Sequence, residues 1–212
     1  MSNESLIADL SSDLTPVQRR SMLREGGLVL ALGAAELMLF LGLGVMRPDM
    51  SHMAGSPFLW RVGSLGLLAV IACVLAIRSF SPTAHPRPGL MLASAIAVAA
   101  IVGGAFVTPD GASARALLDR INPTSGILCA TWIFALSLPI VALLGALMRR
   151  AAPTQPRLSA LASGIAAGTC GAFVFAFCCP FNDPLYVVVW YTIGCAAVTA
   201  VARWCLPRRF RL

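Results

Sequence analysis

Seven cysteines are the residues of this chain best equipped for chemistry, because a thiolate is both a nucleophile and a ligand for soft metals. Three of them flank apolar runs: Cys129 opens one run, and the adjacent Cys178 and Cys179 directly follow the next. Adjacent cysteines can pair only through a strained ring, so a disulfide is expected between Cys129 and one of the other two. The residues alone leave open whether such a bond is structural or a switch. The remaining four are expected to pack as small hydrophobic residues: Cys73, Cys170, Cys195 and Cys205.

Two further residues are candidates for chemistry. His52 lies between Met50 and Met53 and is a candidate to join thiolates in a metal site, but no CxxC or HxxH spacing supports a dedicated one. Glu36 lies within an apolar run, where a carboxylate must be protonated or paired. It is either a proton relay or a neutral, hydrogen-bonded packing residue. The packing interpretation is favoured because no second carboxylate lies in an apolar run.

The elements that must position these residues follow from composition. Hydrophobic residues make up 58% of the 212-residue chain and charged residues only 12%, about half the share typical of a soluble domain. Six apolar runs are long enough to cross a bilayer as helices. We therefore predict an all-α integral membrane protein, a six-transmembrane-helix bundle in contact with membrane lipid. The predicted spans are residues 26–45, 58–77, 90–107, 127–147, 158–177 and 185–202.

The distribution of the 16 basic residues, all arginine, predicts the orientation of the bundle. Twelve lie before the first run, in the second and fourth connections and after the sixth run. The other four lie on the opposite side: Arg47, Arg61, Arg115 and Arg120. The positive-inside rule then places both termini in the cytoplasm of a bacterial inner membrane. Cys129, Cys178 and Cys179 are expected to face the periplasm, where disulfides persist.

The N-terminal segment, residues 1–25, is predicted to be a short amphipathic helix on the cytoplasmic side. Its apolar residues form one helical stripe: Leu6, Ile7, Leu10, Leu14 and Val17. An interfacial helix lying on the membrane would carry basic residues on its polar face, whereas this face carries Glu4, Asp9 and Asp13. Docking into a groove of a cytoplasmic protein is therefore favoured. Residues 26–205 are predicted to form the transmembrane domain, and residues 206–212 a basic cytoplasmic tail.

Small residues recur every four positions in the fifth span: Ala160, Gly164, Gly168 and Ala172. Such a stripe lets a neighbouring helix approach closely, either within the bundle or across a dimer. Packing within the bundle is favoured.

Motifs for catalysis are absent from the sequence. It contains no Walker loop, HExxH, GxSxG or CxxC, so we predict that the protein is not an enzyme and needs no cofactor. We also expect neither direct nucleic-acid binding nor a small-molecule substrate. Two rival functions stay open at this point. One is a small transporter or channel using Glu36 and Arg61, and the other is a membrane thiol oxidoreductase.

Four segments resemble the NrsF-like membrane anti-sigma factors, negative regulators of the extracytoplasmic-function (ECF) sigma factor called sigma F. They are LIADLSSDLTPV (6–17), RPDM (47–50), APTQPRLSALASGIAAG (152–168) and CPFNDPLYVVVWYTIG (179–194). The resemblance extends from residue 4 to about residue 203, and the order and spacing of the segments make it specific.

The resemblance implies a six-span inner-membrane protein whose cytoplasmic N-terminus holds an ECF sigma factor inactive. It implies that Leu6, Ile7, Leu10 and Leu14 bind that partner. It also implies that two periplasmic cysteines, matched by Cys129 and Cys179, sense oxidants or heavy metals in a stress response. A His usually precedes the second cysteine in the family, whereas this chain has Cys178, which leaves open which of the two reacts.

Overall fold

The computed structural model describes residues 21–43, 56–81, 86–106, 123–151, 153–181 and 183–208. These residues form six α-helices, and no strand occurs among them. All six helices are long and apolar enough to cross a membrane, which confirms the predicted all-α architecture for the described part of the chain. The helices are α1 Met22–Gly42, α2 Ser56–Ser79, α3 Pro86–Phe106, α4 Pro123–Ala151, α5 Pro156–Ala176 and α6 Pro184–Arg208.

Helix starts lie before the predicted spans for a simple reason. The predicted spans begin at the first apolar residues, whereas four helices begin on a proline: Pro86, Pro123, Pro156 and Pro184. Proline suits the first helical position because its fixed φ is helical and its missing N–H would be unpaired there anyway. Helix α1 begins at Met22 because the Ser21 hydroxyl accepts a hydrogen bond from the Arg24 N–H at 3.4 Å.

Helix α5 is the central element and packs against α2, α4 and α6. Its small residues permit this close approach. A Cβ atom added at Gly164 would lie 2.7 Å from the Cα of Thr199, and one at Gly168 would lie 3.1 Å from the Cα of Cys195. Gly171 lies equally close to α4. The small-residue stripe of the fifth span is therefore used for packing within the bundle.

Two groups of buried residues lie at opposite ends of the bundle. One surrounds Phe80, Leu144 and Met148, where α2 and α4 end and α5 begins. The other surrounds Cys129 and Tyr186, where α4 and α6 begin and α5 ends. We call the first end the arginine end, because the exposed arginines of the described residues lie in the helix termini there: Arg24, Arg78, Arg87, Arg149, Arg150, Arg157 and Arg203. The second is the cysteine end.

The outer faces of α1 and α3 are apolar and exposed. Leu30 and Met38 of α1 and Met91 of α3 each have 70% or more of their surface exposed. A water-soluble domain rarely leaves so much contiguous apolar surface uncovered. This surface suits contact with hydrocarbon, whose thickness the helix lengths match.

Candidate functional site

The cysteine end brings together Cys129 and Cys179, which lie on different elements. Cys129 belongs to the second turn of α4, and Cys179 lies three residues beyond the end of α5. Their thiols form a hydrogen bond, and the side chains are only 5% and 1% exposed. Both are free thiols in this structure. The two cysteines are therefore close enough to react with each other or with a common reagent.

Cys178 takes a different position from its neighbour. The N–H groups of Cys178 and Cys179 both donate to the carbonyl of Phe175, at 3.0 Å and 3.1 Å, which closes the last turn of α5. This turn places the Cys179 thiol inside the bundle beside Cys129 and leaves Cys178 only partly buried. Burial raises the pKa of the Cys178 thiol, so Cys178 is the less ionised of the two.

Aromatic residues of α6 enclose the thiol pair. The Tyr186 hydroxyl lies 3.2 Å from the Cys129 sulfur, within hydrogen-bond distance. The Tyr186 ring stacks on Phe181, with ring centroids 4.4 Å apart. The Tyr191 hydroxyl lies beside Cys179. These contacts hold the pair in a mostly apolar setting, in which the Tyr186 hydroxyl bonds to a sulfur atom and the buried Tyr191 hydroxyl has no hydrogen-bond partner within the described residues.

Arg61 of α2 is the charged residue of the site. Its guanidinium donates to the carbonyl oxygens of Phe181 at 2.6 Å and Ala176 at 2.8 Å, and it lies 5.5 Å from the ring centroid of Phe58. Only 2% of Arg61 is exposed, in contrast to the arginines at the other end. The sequence places Arg61 in the topology count and in the transporter hypothesis but does not reveal its place here. The available signal was a lone arginine at the end of a span where arginine is scarce.

The surroundings of Cys179 favour its thiolate form. The hydrogen bond from Cys129 lowers the pKa of Cys179 to about 6, although burial acts in the opposite direction. The positive charge of Arg61 also lowers this pKa. Because the thiolate is the reactive form toward both oxidants and soft metals, Cys179 is the more reactive member of the pair.

A second thiol pair lies within the bundle, away from the cysteine end. The sulfur atoms of Cys73 in α2 and Cys170 in α5 are 3.4 Å apart. The expectation of simple packing missed this contact, because helix phase across the bundle cannot be read from hydropathy. Both carboxylate oxygens of Glu36 are buried, and neither has a hydrogen-bond partner within the described residues.

Several residues singled out in the sequence lie outside the described residues. They are Leu6, Ile7, Leu10, Leu14 and Val17 of the N-terminal stripe, together with Met50, His52 and Met53. Within the described residues, no group of three or more His, Cys, Asp or Glu side chains is arranged to hold a metal ion.

Comparison with known families identifies the chain. Residues 10–212 match the family model described as "NrsF: Negative regulator of sigma F". The chain belongs to the NrsF family. Its members regulate a sigma factor and do not catalyse a reaction, which confirms the resemblance and the prediction that the protein is not an enzyme. The protein is thus an anti-sigma factor of the NrsF type, and the transporter and oxidoreductase hypotheses lose their support.

Two NrsF relatives match nearly the whole chain. The Anti-sigma-F factor NrsF of Caulobacter vibrioides (strain NA1000 / CB15N) is 27% identical over 202 residues, covering 95% of this chain and 93% of the relative. The Probable anti-sigma-F factor NrsF of Azospira oryzae (strain ATCC BAA-33 / DSM 13638 / PS) is 27% identical over 208 residues, covering 95% of both chains. No solved structure matches the chain significantly.

Proposed function

We propose that this NrsF-family protein is an inner-membrane anti-sigma factor that sequesters an ECF sigma factor of the sigma F type. It releases the sigma factor when Cys129 and Cys179 react with an oxidant or a heavy metal. The observation that carries this proposal is the thiol–thiol hydrogen bond between α4 and the segment after α5. Two free thiols in contact form a sensing site: an oxidant can link them in a disulfide, and a soft metal can bind both.

The arrangement of charge supports a periplasmic position for this sensing site. The exposed arginines of the described residues lie at the end of the bundle opposite the thiol pair. Positive charge is retained in the cytoplasm during membrane insertion, so the arginine end is cytoplasmic and the cysteine end periplasmic. Reagents outside the cell then meet Cys129 and Cys179 before they reach the cytoplasm.

Oxidation of the pair by a peroxide proceeds in two steps. The Cys179 thiolate attacks one oxygen of hydrogen peroxide, giving a sulfenic acid and hydroxide. The Cys129 sulfur then attacks the Cys179 sulfur, a disulfide forms, and the displaced hydroxyl group leaves with a proton as water. The hydroxide from the first step takes up the proton that Cys179 had released when it ionised. Two thiols are thus oxidised, and one peroxide is reduced to two molecules of water.

A soft metal ion joins the same residues by another route. The thiolates of Cys129 and Cys179 would hold such an ion, whose binding would displace the thiol protons. Either reaction ties the start of α4 to the segment after α5. The switch then needs to favour the releasing state by only a few kcal/mol.

The sigma-factor contact is assigned to the N-terminal segment. Helix α1 starts at Met22 at the arginine end, so residues 1–20 join the bundle on the side proposed to be cytoplasmic. The apolar stripe of Leu6, Ile7, Leu10 and Leu14, with acidic residues on the other faces, suits a groove of a basic partner protein.

Co-purification tests the proposal. The full chain, carrying an affinity tag at its C-terminus, is purified from membranes together with the sigma factor, before and after treatment with hydrogen peroxide or cadmium. We expect the sigma factor to co-purify with the untreated full chain, to be lost on treatment, and to be absent without residues 1–24. Cys129→Ser and Cys179→Ser should each keep the sigma factor bound after treatment, and the double variant should behave like either single one. If both single variants still release the sigma factor on treatment, the proposed sensing role of Cys129 and Cys179 is wrong.

A further inference from the structure

The buried guanidinium of Arg61 bonds to main-chain carbonyl groups of a segment that is distant in the sequence. Removing a guanidinium from water is costly unless its donors are satisfied. At 2% exposure, each terminal nitrogen of Arg61 donates to one main-chain carbonyl oxygen, whereas its Nε has no partner within the described residues. Both carbonyls belong to the short segment that carries the reactive cysteines, 115 and 120 residues away in sequence. The arginine therefore ties α2 to one particular segment and not simply to the core.

The two carbonyls bracket Cys179. Ala176 is the last residue of α5, where helical carbonyls lack intrahelical partners. The carbonyls of Val174 and Phe175 are taken by the N–H groups that close the turn, and the carbonyl of Ala176 accepts from Arg61. Phe181 follows Cys179 by two residues, and its carbonyl lies 3.8 Å from the Cys179 sulfur. Arg61 thus holds the chain on both sides of the thiol.

We propose that Arg61 is a positioning residue for the thiol pair: its bidentate bonds to Ala176 and Phe181 hold Cys179 against Cys129. The inference rests on the proposed function, in which this pair receives the signal, and adds the group that aligns it. The planar fork of arginine can reach two carbonyls at once from one rigid head. A lysine keeps the charge but offers a single ammonium, so it cannot bracket the segment in the same way.

The test measures how fast the disulfide between Cys129 and Cys179 forms. Full-length protein in lipid nanodiscs is treated with hydrogen peroxide, and the disulfide between Cys129 and Cys179 is followed over time by peptide mass spectrometry. The variants are Arg61→Met, which keeps volume without donors, and Arg61→Lys. The matched control is Arg78→Gln, which changes an exposed arginine on the same helix at the other end of the bundle.

We expect Arg61→Met to close the disulfide at least about tenfold more slowly, because small displacements of reacting atoms lower intramolecular rates steeply. Arg61→Lys should fall between this variant and the parent, and Arg78→Gln should match the parent. The inner thiols Cys73 and Cys170 report on the bundle itself, and their alkylation should stay at the parental level. A purely global loss of structure would instead expose these two thiols together with the site.

Closure at the parental rate in either Arg61 variant overturns the inference. If Arg61→Met exposes Cys73 and Cys170, Arg61→Lys decides. Slower disulfide formation in Arg61→Lys, with both inner thiols still protected, supports the inference. Disulfide formation at the parental rate refutes it. The assay contains no sigma factor. Failure of oxidant to release the sigma factor from the parent would therefore refute the proposed function and leave this test unaffected.

Discussion

Replacing Cys129 with alanine should raise the pKa of Cys179, because the hydrogen bond from Cys129 is the largest influence holding that pKa low. The substitution removes the donor and leaves Arg61, whose charge still favours the thiolate. It adds no bulk to the buried position that Cys129 occupies. The expected result is a pH profile of Cys179 reactivity displaced toward alkaline pH.

The size of the displacement follows from the pKa. With a pKa of about 6, Cys179 is roughly nine-tenths thiolate at pH 7. An ordinary thiol with a pKa of about 8.5 is only about 3% ionised at that pH. Since Arg61 remains, the midpoint should move by about one to two pH units and not by the full difference. Reactivity that the parent keeps near pH 6.5 should therefore be largely lost in the variant, to return at about pH 8.

Iodoacetamide labelling of the full-length protein between about pH 5 and pH 9, read for Cys179 by peptide mass spectrometry, gives this midpoint. Because Cys179 is 1% exposed, the reagent reaches it only through local opening, so midpoints are compared and not absolute rates. Cys178→Ala is the matched control, since it changes the adjacent thiol and keeps the hydrogen bond. A Cys129→Ala midpoint indistinguishable from the parental one would refute the assigned role of this hydrogen bond.

Three further outcomes are expected. Cys179→Ser should abolish oxidant-induced release of the sigma factor while Cys178→Ser retains it, as measured by transcription from a sigma-dependent reporter; equal loss in both would contradict the pairing. Leu10→Asp or Leu14→Asp should release the sigma factor constitutively, since loss of a buried anchor costs about 2 kcal/mol, a roughly thirtyfold weakening. Normal repression by both variants at parental abundance would place the binding surface elsewhere. Alkaline phosphatase fused after Arg115 should be active, as the predicted periplasmic position requires, and a cytoplasmic signal from this fusion would reverse the topology.

The helices could be predicted from the sequence because each is a long apolar run with few charges. The small-residue stripe at Gly164 and Gly168 was likewise readable, since close helix packing requires such residues at helical spacing. The predicted spans start later than the helices because the prolines of the first turns precede the apolar residues. These are properties of single helices, and hydropathy reports them directly.

The site was only partly predictable. Sequence order narrowed the partner of Cys129 to Cys178 or Cys179, but the choice between them depends on how the chain turns after Ala176. That turn is set by contacts with α2 and α6, which single-helix patterns do not contain. The role of Arg61 could not be predicted either. Its partners are main-chain carbonyls, which every residue has, so the residue types of the partner segment do not indicate the contact.

Helices α2 and α5 are tied together at both ends of the bundle. At the cysteine end, Arg61 of α2 donates to the carbonyl of Ala176 in α5 at 2.8 Å. At the arginine end, the Ser159 hydroxyl of α5 donates to the carbonyl of Ser79 in α2 at 2.9 Å. These two bonds join α2 and α5 near both ends of the bundle, in addition to their close packing.

Helix α4 carries Cys129 and stands outside this tied pair, so a bond from Cys129 to Cys179 acts between α4 and the pair. Where α4 meets α5, Gly171 has no room for even a Cβ atom. Such close packing leaves little slack, so a shift of α4 against α5 would be passed along the helix. A displacement produced by the proposed bond between Cys129 and Cys179 would reach the far end, where Met148 of α4 and Ala160 of α5 share one buried cluster. The exposed Arg149 and Arg150 directly follow Met148, so such a shift of α4 would move the surface that the sigma factor is proposed to face.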